Sequence, residues 1–314
     1  MDGRTKPDVI APGSWILSAG AQPFNENECD PSAGSLPSPG QDNASRQGLL
    51  YREGTSMSAA VATGNAALVR QYFEDGFWPS GKQNSKNRVN PSAALVKAVL
   101  MNGAQSLLGI DQNFAGVAKV ALYDGAQNFG KINLLNSLYL QKENNVRTGI
   151  WDNQEIEDQG SKTYTIRYSR AGKCRNTSVS ITLVWMDPPG ASGCRSCVLN
   201  GLDITAYVKK SPERVFYPNG FQSNPETINN AERITVRGLR KRDQIIVTVK
   251  ASNLVTPSQN FALVATGCIN TSDFYEDVDN TIQIVALALG GLLIPIGLCL
   301  LVLFCVLIRI DRRH

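Results

Sequence analysis

The chain has 314 residues, 42% of them hydrophobic and 18% charged, with a formal net charge of +4. That length suits two domains, each able to bury its own core. The charge is small and spread along the chain, which excludes an electrostatic nucleic-acid binder.

The first 140 residues read as short strand, long loop, then helices. "PDVIAPG" at 7–13 is a brief apolar run stopped by Pro12-Gly13 and is expected to be a buried strand. A Pro-, Ser-, Gly- and Asn-rich loop occupies about 22–48. "TSMSAAVATGNAALVRQYF" follows. Its helix, expected over Ser56 to Phe73, is apolar on nearly every side and is expected to lie inside the protein. In "NPSAALVKAVLMNGA", Asn90 is the expected cap, Pro91 the first helical residue and Asn102-Gly103 the stop. A third helix is expected around "NLLNSLYL", from Asn133.

From about Ser161 to Cys268 the apolar period becomes two. "KTYTIRY", "SVSITLVWM", "LDITAYV", "ERITV", "QIIVTVKA" and "FALVAT" give six or seven short strands, the pattern of a β-sandwich or jelly roll. "RGLRKRD" at 237–243 falls between two of them and reads as a solvated turn. Residues 269–283 form a polar stalk carrying Asp273, Glu276, Asp277 and Asp279. Residues 284–308 carry no charge, and 25 helical residues are enough to cross a ~30 Å hydrocarbon core. Arg309, Arg312 and Arg313 follow directly, which places 309–314 in the cytoplasm and the rest outside the cell or in a lumen. The expected organisation is therefore 1–150, 151–268, the stalk 269–283, a membrane helix 284–308 and the tail 309–314. Lipid contact is expected through 284–308. "MDGRTKPDV" has no apolar export signal, so the chain reads as a piece of a longer protein.

Asn43, Asn176 and Asn270 head Asn-x-Ser triplets on the outer side and are glycosylation candidates. Five cysteines share that side, Cys29 among them. Cys194-x-x-Cys197 lacks a second pair or a usable His, so a zinc site is disfavoured against disulfides joining Cys194 to Cys197 and Cys174 to Cys268.

Ser56 sits behind Gly54 at a helix start, where free backbone N–H groups face a developing negative charge. Spacing alone fits a helix cap equally well. The residues say more: "GTSMSAAVATGNAAL" resembles the nucleophile motif of subtilisin-like serine proteases. "GRTKPDVIAPG" at 3–13, "NPSAALVKAVLMNGA" at 90–104 and "NFGKINLLNSL" at 128–138 are similar to segments that flank it, in the same order. The resemblance implies part of a doubly wound α/β domain, with Ser56 as nucleophile and its N–H as one oxyanion donor. Polypeptides would be the substrates. Further on, "ITLVWMDPPGAS", "VLNGLDITAYV", "NNAERITV" and "VTVKASNL" resemble the C-terminal β-barrel of an alkaline protease subgroup. That subgroup commonly has Asn-Asp-Leu-Asp where this chain has Asn200-Gly201-Leu202-Asp203. The chemistry needs no cofactor, but calcium sites are frequent in the family. Asp187, Asn200, Asp203 and Glu232 are therefore candidate ligands of a structural Ca2+, or else solvated turn residues.

The family's catalytic Asp and His precede its serine. Here Asp2 and Asp8 belong to a different motif, and the one histidine, His314, is the last residue. Base and orienting acid are thus absent from the chain, which is expected to be inactive alone because an unassisted serine hydroxyl is a poor nucleophile. The leading expectation is a membrane-anchored serine endopeptidase of which this is a part. The alternative is a non-catalytic, membrane-anchored binding or adhesion protein with a remnant protease half. In a third arrangement the C-terminal span inserts after synthesis and the sandwich stays in the cytosol.

Overall fold

The computed structural model describes residues 3–19, 49–107, 122–169, 174–195, 197–221, 223 and 228–271. The expected membrane helix 284–308, the tail, Asn43 and Cys29 lie outside the described residues.

Two short strands, β1 (Ile16–Ala19) and β2 (Leu49–Arg52), pair antiparallel, with Ile16 opposite Arg52. Helix α1 (Thr55–Glu74) follows at once, and α2 (Ala93–Asn102) begins 19 residues after it ends. Pro91 lies just ahead of α2, but the cap is Ser92, not Asn90. Its hydroxyl accepts from Leu95 N–H at 3.0 Å, leaving Asn90 two residues too early. Gly103 ends α2 where the sequence predicts.

Three expectations for this region are corrected. "PDVIAPG" forms only an isolated parallel bridge, Ile10 with Lys131. Lys131 is bridged on its other side by Gln105, antiparallel, so among the described residues this is a three-segment crossing of single bridges and not a parallel sheet of several strands. The third helix is one 3-10 turn, Leu134–Asn136. Side chains compete for its backbone: Asn133 Oδ1 accepts from Leu135 N–H, and Asn144 Nδ2 donates to the carbonyls of Leu135 and Leu138. Lastly, α1 is not buried along its length. Val69, Tyr72 and Phe73 are its buried residues, whereas Ala59, Ala60, Thr63, Gly64 and Ala67 are exposed. Most apolar residues on that side are small, Leu68 at 54% exposed being the large one, and no described element buries them.

The remainder is built from eight antiparallel strands: β3 (Arg147–Glu157), β4 (Ser161–Arg167), β5 (Val179–Trp185), β6 (Gly201–Val208), β7 (Ser211–Phe216), β8 (Ala231–Val236), β9 (Gln244–Ser252) and β10 (Ser258–Gly267). They form two four-stranded sheets, β3-β10-β5-β8 and β4-β9-β6-β7. This strand order is that of two interlocked Greek keys. Neither sheet closes on itself, so the expected barrel is an open two-sheet arrangement. The strand ladders run within each sheet, and side chains fill the space between them, where Glu232 Oε2 of β8 accepts from Ile204 N–H of β6 at 2.7 Å.

Burial follows from what covers each face. β9 alternates buried with exposed or partly exposed residues, as expected of a sheet with one wet side. β5 and β10 are buried nearly throughout. One face of their sheet meets the other sheet, while α2 lies on the opposite face. There Val184, Ala231, Ala262 and Val264 join Val69, Phe73, Leu95, Ala98 and Val99 in one core. Each fully buried Val, Leu or Phe among them stabilises by about 1.5–3 kcal/mol, and each Ala by less than about 1 kcal/mol. Residues up to Asn270 accordingly form one compact unit.

Candidate active site

Ser56 is the second residue of α1 and is exposed. The chain reaches it through Gly54, the N-cap residue, at φ 144° and ψ 170°, a conformation that a β-carbon disfavours. Met57 and Ser58 N–H reach back to Gly54 O at 3.2 and 3.4 Å. The N–H groups of Thr55 and Ser56 stand at the positive end of the helix dipole.

A second tether holds this turn. Gly54 N–H donates to Gly13 O at 2.7 Å. A β-carbon on Gly13 would lie 2.7 Å from Gly54 O and 2.0 Å from Ser58 Oγ, so only glycine allows so close an approach. Ser14 Oγ donates to Glu53 Oε2 at 3.1 Å, and Trp15 meets Tyr51 edge-on at 6.3 Å between centroids. The loop of residues 13–15 thus fixes the backbone entering the serine.

The described residues contain no histidine. Asp8 is engaged by cations instead: Lys6 Nζ donates to it at 2.7 and 2.8 Å, and Lys97 Nζ lies 3.3 Å away. Burial pulls the Lys97 ammonium below its ordinary pKa, and Asp8 opposes that shift. This cluster joins the first segment of the chain to α2. The site therefore offers a hydroxyl and backbone donors for an anion, with no proton acceptor of the imidazole type among the described residues.

Behind α1, three polar groups pin α2 to the sheet. At its positive end, Asp152 accepts from Ser92 N–H at 2.9 Å and from Ser92 Oγ at 2.5 Å. At its negative end, Arg233 of β8, only 5% exposed, donates Nη1 to Met101 O at 2.8 Å and to Ala104 O at 3.0 Å. Its Nη2 reaches Phe129 O at 3.1 Å and its Nε reaches Tyr123 Oη at 3.2 Å. At the same end, Asn102, the last residue of α2 and buried, donates to Thr266 Oγ1 at 2.7 Å and accepts from Thr182 Oγ1 at 2.8 Å. At the far end of α1, burial raises the Tyr72 hydroxyl above the usual phenol range, with Arg147 acting in the opposite direction. It remains protonated and donates to Tyr139 O at 2.8 Å.

The four candidate calcium ligands do not converge. Both Asp187 oxygens accept backbone N–H groups, from Leu199 and Asn200, at 2.8 Å. The Asn200 amide donates to Thr256 Oγ1 and Gln259 Oε1 and accepts from Val255 N–H, each at 2.7 Å. Asp203 accepts from Ser252 Oγ on the outer face of its sheet, whereas buried Glu232 accepts from Ile204 N–H between the sheets. No group of three or more His, Cys, Asp or Glu side chains suited to a metal occurs among the described residues.

Cys174 and Cys268 form one disulfide, and Cys194 and Cys197 another. Asn176 is exposed, with its side chain accepting from Ser178 N–H at 3.0 Å and Ser178 Oγ at 2.7 Å. Asn270 is half-exposed at the end of the unit. Sequence reasoning does not find Asp152 or Arg233. The only trace of Arg233 is that Glu232 and Arg233 adjoin within a strand, so one of the two must point to each face.

Residues 1–130 match the Subtilase family. Among curated proteins, the chain is 28% identical over 305 residues to Serine protease/ABC transporter B family protein tagB of Dictyostelium discoideum, covering 85% of this chain and 16% of that protein. It is 31% identical over 279 residues to protein tagA of the same description and organism, covering 84% of this chain and 14% of that protein. The chain thus spans 16% or less of the length of these relatives. No helix among the described residues is long and apolar enough to cross a membrane.

Proposed function

We propose that this chain supplies the nucleophile of a serine endopeptidase. Ser56 Oγ attacks the substrate carbonyl, the N–H of Ser56 steadies the oxyanion, and an acyl-enzyme forms and is hydrolysed. The proton acceptor and its orienting acid come from polypeptide outside this sequence. The observation that carries this reading is an exposed serine on the first turn of a helix, behind a glycine at φ 144°, inside the segment matching the Subtilase family. The serine-protease wording in the relatives' names supports it. The full protein is held in a membrane by residues 284–308, with the described part outside the cell or in a lumen. The apolar sequence of that stretch and the transporter wording in those names support this placement. The adhesion alternative predicts a β unit that folds without the helices, and the shared core weighs against it.

A fluorophosphonate probe tests the reading. In the longest natural product that contains this sequence, the probe is expected on the peptide holding Ser56 and absent after Ser56→Ala. The isolated chain is expected to label far more slowly. A proteolytically active natural product whose Ser56 stays unmodified would overturn it.

A further inference from the structure

The basic turn 237–243 takes no part in the site above, yet the topology does not leave it isolated. The ends of β8 and β10 and the start of β5 lie together, with Gly267 opposite Val179 and Val179 opposite Val236. In the other sheet, Arg167 and Val208 sit opposite Gln244 and Ile245, at the start of β9. Tyr168 N–H donates to Asp243 O at 2.8 Å and Ser169 N–H to Cys268 O at 2.7 Å, so both sheets finish at one end of the unit.

That end is strongly basic. Arg237, Arg240, Lys241 and Arg242 are exposed on the β8–β9 turn, and Lys209 and Lys210 on the β6–β7 turn. Lys209 N–H donates to Gln244 O at 2.8 Å, which sets the two turns side by side. In the four connections at this end (167–178, 208–211, 236–244 and 267–271), the one carboxylate among the described residues is Asp243. It is 8% exposed, bonded to Lys210 Nζ at 2.6 Å and to Arg240 N–H at 2.8 Å. Leu239, 2% exposed, anchors the turn from below, and its N–H donates to Thr177 O at 2.9 Å. Buried residues thus hold the turn while its cations face outward. At the opposite end, the final stretch of β3 exposes Glu155 and Glu157, and the β3–β4 connection exposes Asp158. The unit therefore carries a charge polarity along its strands.

The chain also leaves the unit at the basic end, where Asn270 N–H donates to Arg167 O at 2.9 Å. In sequence, residues 271–283, with Asp273, Glu276, Asp277 and Asp279 and no basic residue, lie between that point and the uncharged stretch 284–308, so the six cations of the two turns act against four tether carboxylates. Thirteen extended residues reach at most ~45 Å. We propose that this basic end is a docking surface for a bilayer bearing anionic phospholipid headgroups. Each Lys or Arg brought to such a surface strengthens attachment by roughly fivefold. The attraction fades within a Debye length of about 8 Å at physiological salt, so the end must lie close to the headgroups to feel it. A short tether keeps the local lipid concentration high and makes modest attraction effective.

The inference rests on the membrane reading of 284–308, and the experiment separates the two. The full chain is placed in nanodiscs of phosphatidylcholine, with or without phosphatidylserine, and amide exchange is followed by mass spectrometry. Exchange in 237–243 and 209–211 is expected to slow several-fold in the phosphatidylserine discs. High salt or the triple change Arg240→Glu, Lys241→Glu, Arg242→Glu should abolish the slowing, with the 155–158 amides unaffected as a check on folding. Equal exchange in both discs, or slowing that survives charge reversal, would overturn the proposal. A chain that does not enter discs defeats the membrane reading alone, and vesicle sedimentation then decides. Binding to phosphatidylserine but not phosphatidylcholine vesicles, lost on charge reversal, sustains the surface; any other binding pattern overturns it. A glycan on Asn176 in cell-made protein, standing between this end and a bilayer, would overturn it as well.

Discussion

Arg233→Met is the sharpest test of how the helices are held. Methionine keeps much of the aliphatic volume and removes the guanidinium that donates to Met101 O, Ala104 O and Phe129 O over 2.8–3.1 Å. Two of these acceptors, Met101 in the C-terminal turn of α2 and Ala104 two residues past its end, lie where carbonyls lack partners within the helix and the dipole is negative. Hydrogen bonds from a charged donor contribute about 1.5–3 kcal/mol each, so three give roughly 4.5–9 kcal/mol of gross loss. Desolvation of the charge in the native protein is relieved at the same time and takes back several kcal/mol. The net expectation is about 3–5 kcal/mol, a large share of the 5–15 kcal/mol that holds an ordinary domain. The Nε bond to Tyr123 Oη at 3.2 Å goes as well, and the guanidinium lies 5.4 and 5.2 Å from the ring centroids of Tyr123 and Phe129, smaller losses in the same direction.

Urea unfolding of the purified chain, followed by near-ultraviolet circular dichroism, reads this directly. Thermal unfolding should shift down by about 10 °C. Arg233→Lys keeps the charge but reaches fewer carbonyls at once, and should fall between wild type and Arg233→Met. Arg237→Met, at the exposed position directly after β8, should change stability by less than about 0.5 kcal/mol. If Arg233→Met costs no more than Arg237→Met, the carbonyls find other donors and the clasp described here is not what holds α2.

Two further outcomes are expected. Asp152→Ala removes the acceptor for Ser92 N–H and Oγ at the start of α2, costing about 1–2 kcal/mol in urea unfolding and raising amide exchange in 93–96 first. Burial raises the Asp243 pKa, but Lys210 and the Arg240 N–H outweigh it and hold the carboxyl below its ordinary 3.8. Its contribution is therefore present above that value and lost as pH falls through the lower folded value; a pH series below about 4 should show this for wild type and less of it for Asp243→Asn.

How much of this was legible varies with the kind of force involved. The ends of α1 and α2 follow from local chemistry, a glycine before Thr55 and Gly103 after Asn102, and sequence places them within two residues. The expected third helix fails because Asn133 and Asn144 compete for its backbone, and Asn144 acts from outside the window in which helical spacing is judged. β3 and β7 escape notice for different reasons. β3 carries "WDNQ" across its middle and bends where the register shifts between Phe261 and Leu263, and β7 is an exposed edge strand with little apolar alternation. The sheet order and the landing of Arg233 on α2 join residues more than 100 positions apart, and no local pattern encodes such a meeting. At the site, Ser56 and Gly54 are visible in sequence. The approach of Gly13 is not, because a small residue looks alike in a loose loop and in a tight contact.

That contact decides how precisely Ser56 can be aimed. The first fully buried residue of α1 is Val69, 13 residues beyond the serine, or about 20 Å along the axis at 1.5 Å per residue. A helix held only at that end is a lever: a tilt of about 5° would carry the serine nearly 2 Å, and misplacement by about 1 Å can cost on the order of a hundredfold in rate. Asp152, Asn102 and Arg233 immobilise the fulcrum by fixing α2 to the sheet, but they cannot damp motion at the far tip. The damping must act at the tip, and the Gly54 N–H to Gly13 O bond at 2.7 Å is placed there. Two constraints at opposite ends of one helix, a polar clasp through α2 and a glycine-to-glycine contact beside the hydroxyl, together give the serine a defined position even where the side of α1 is exposed.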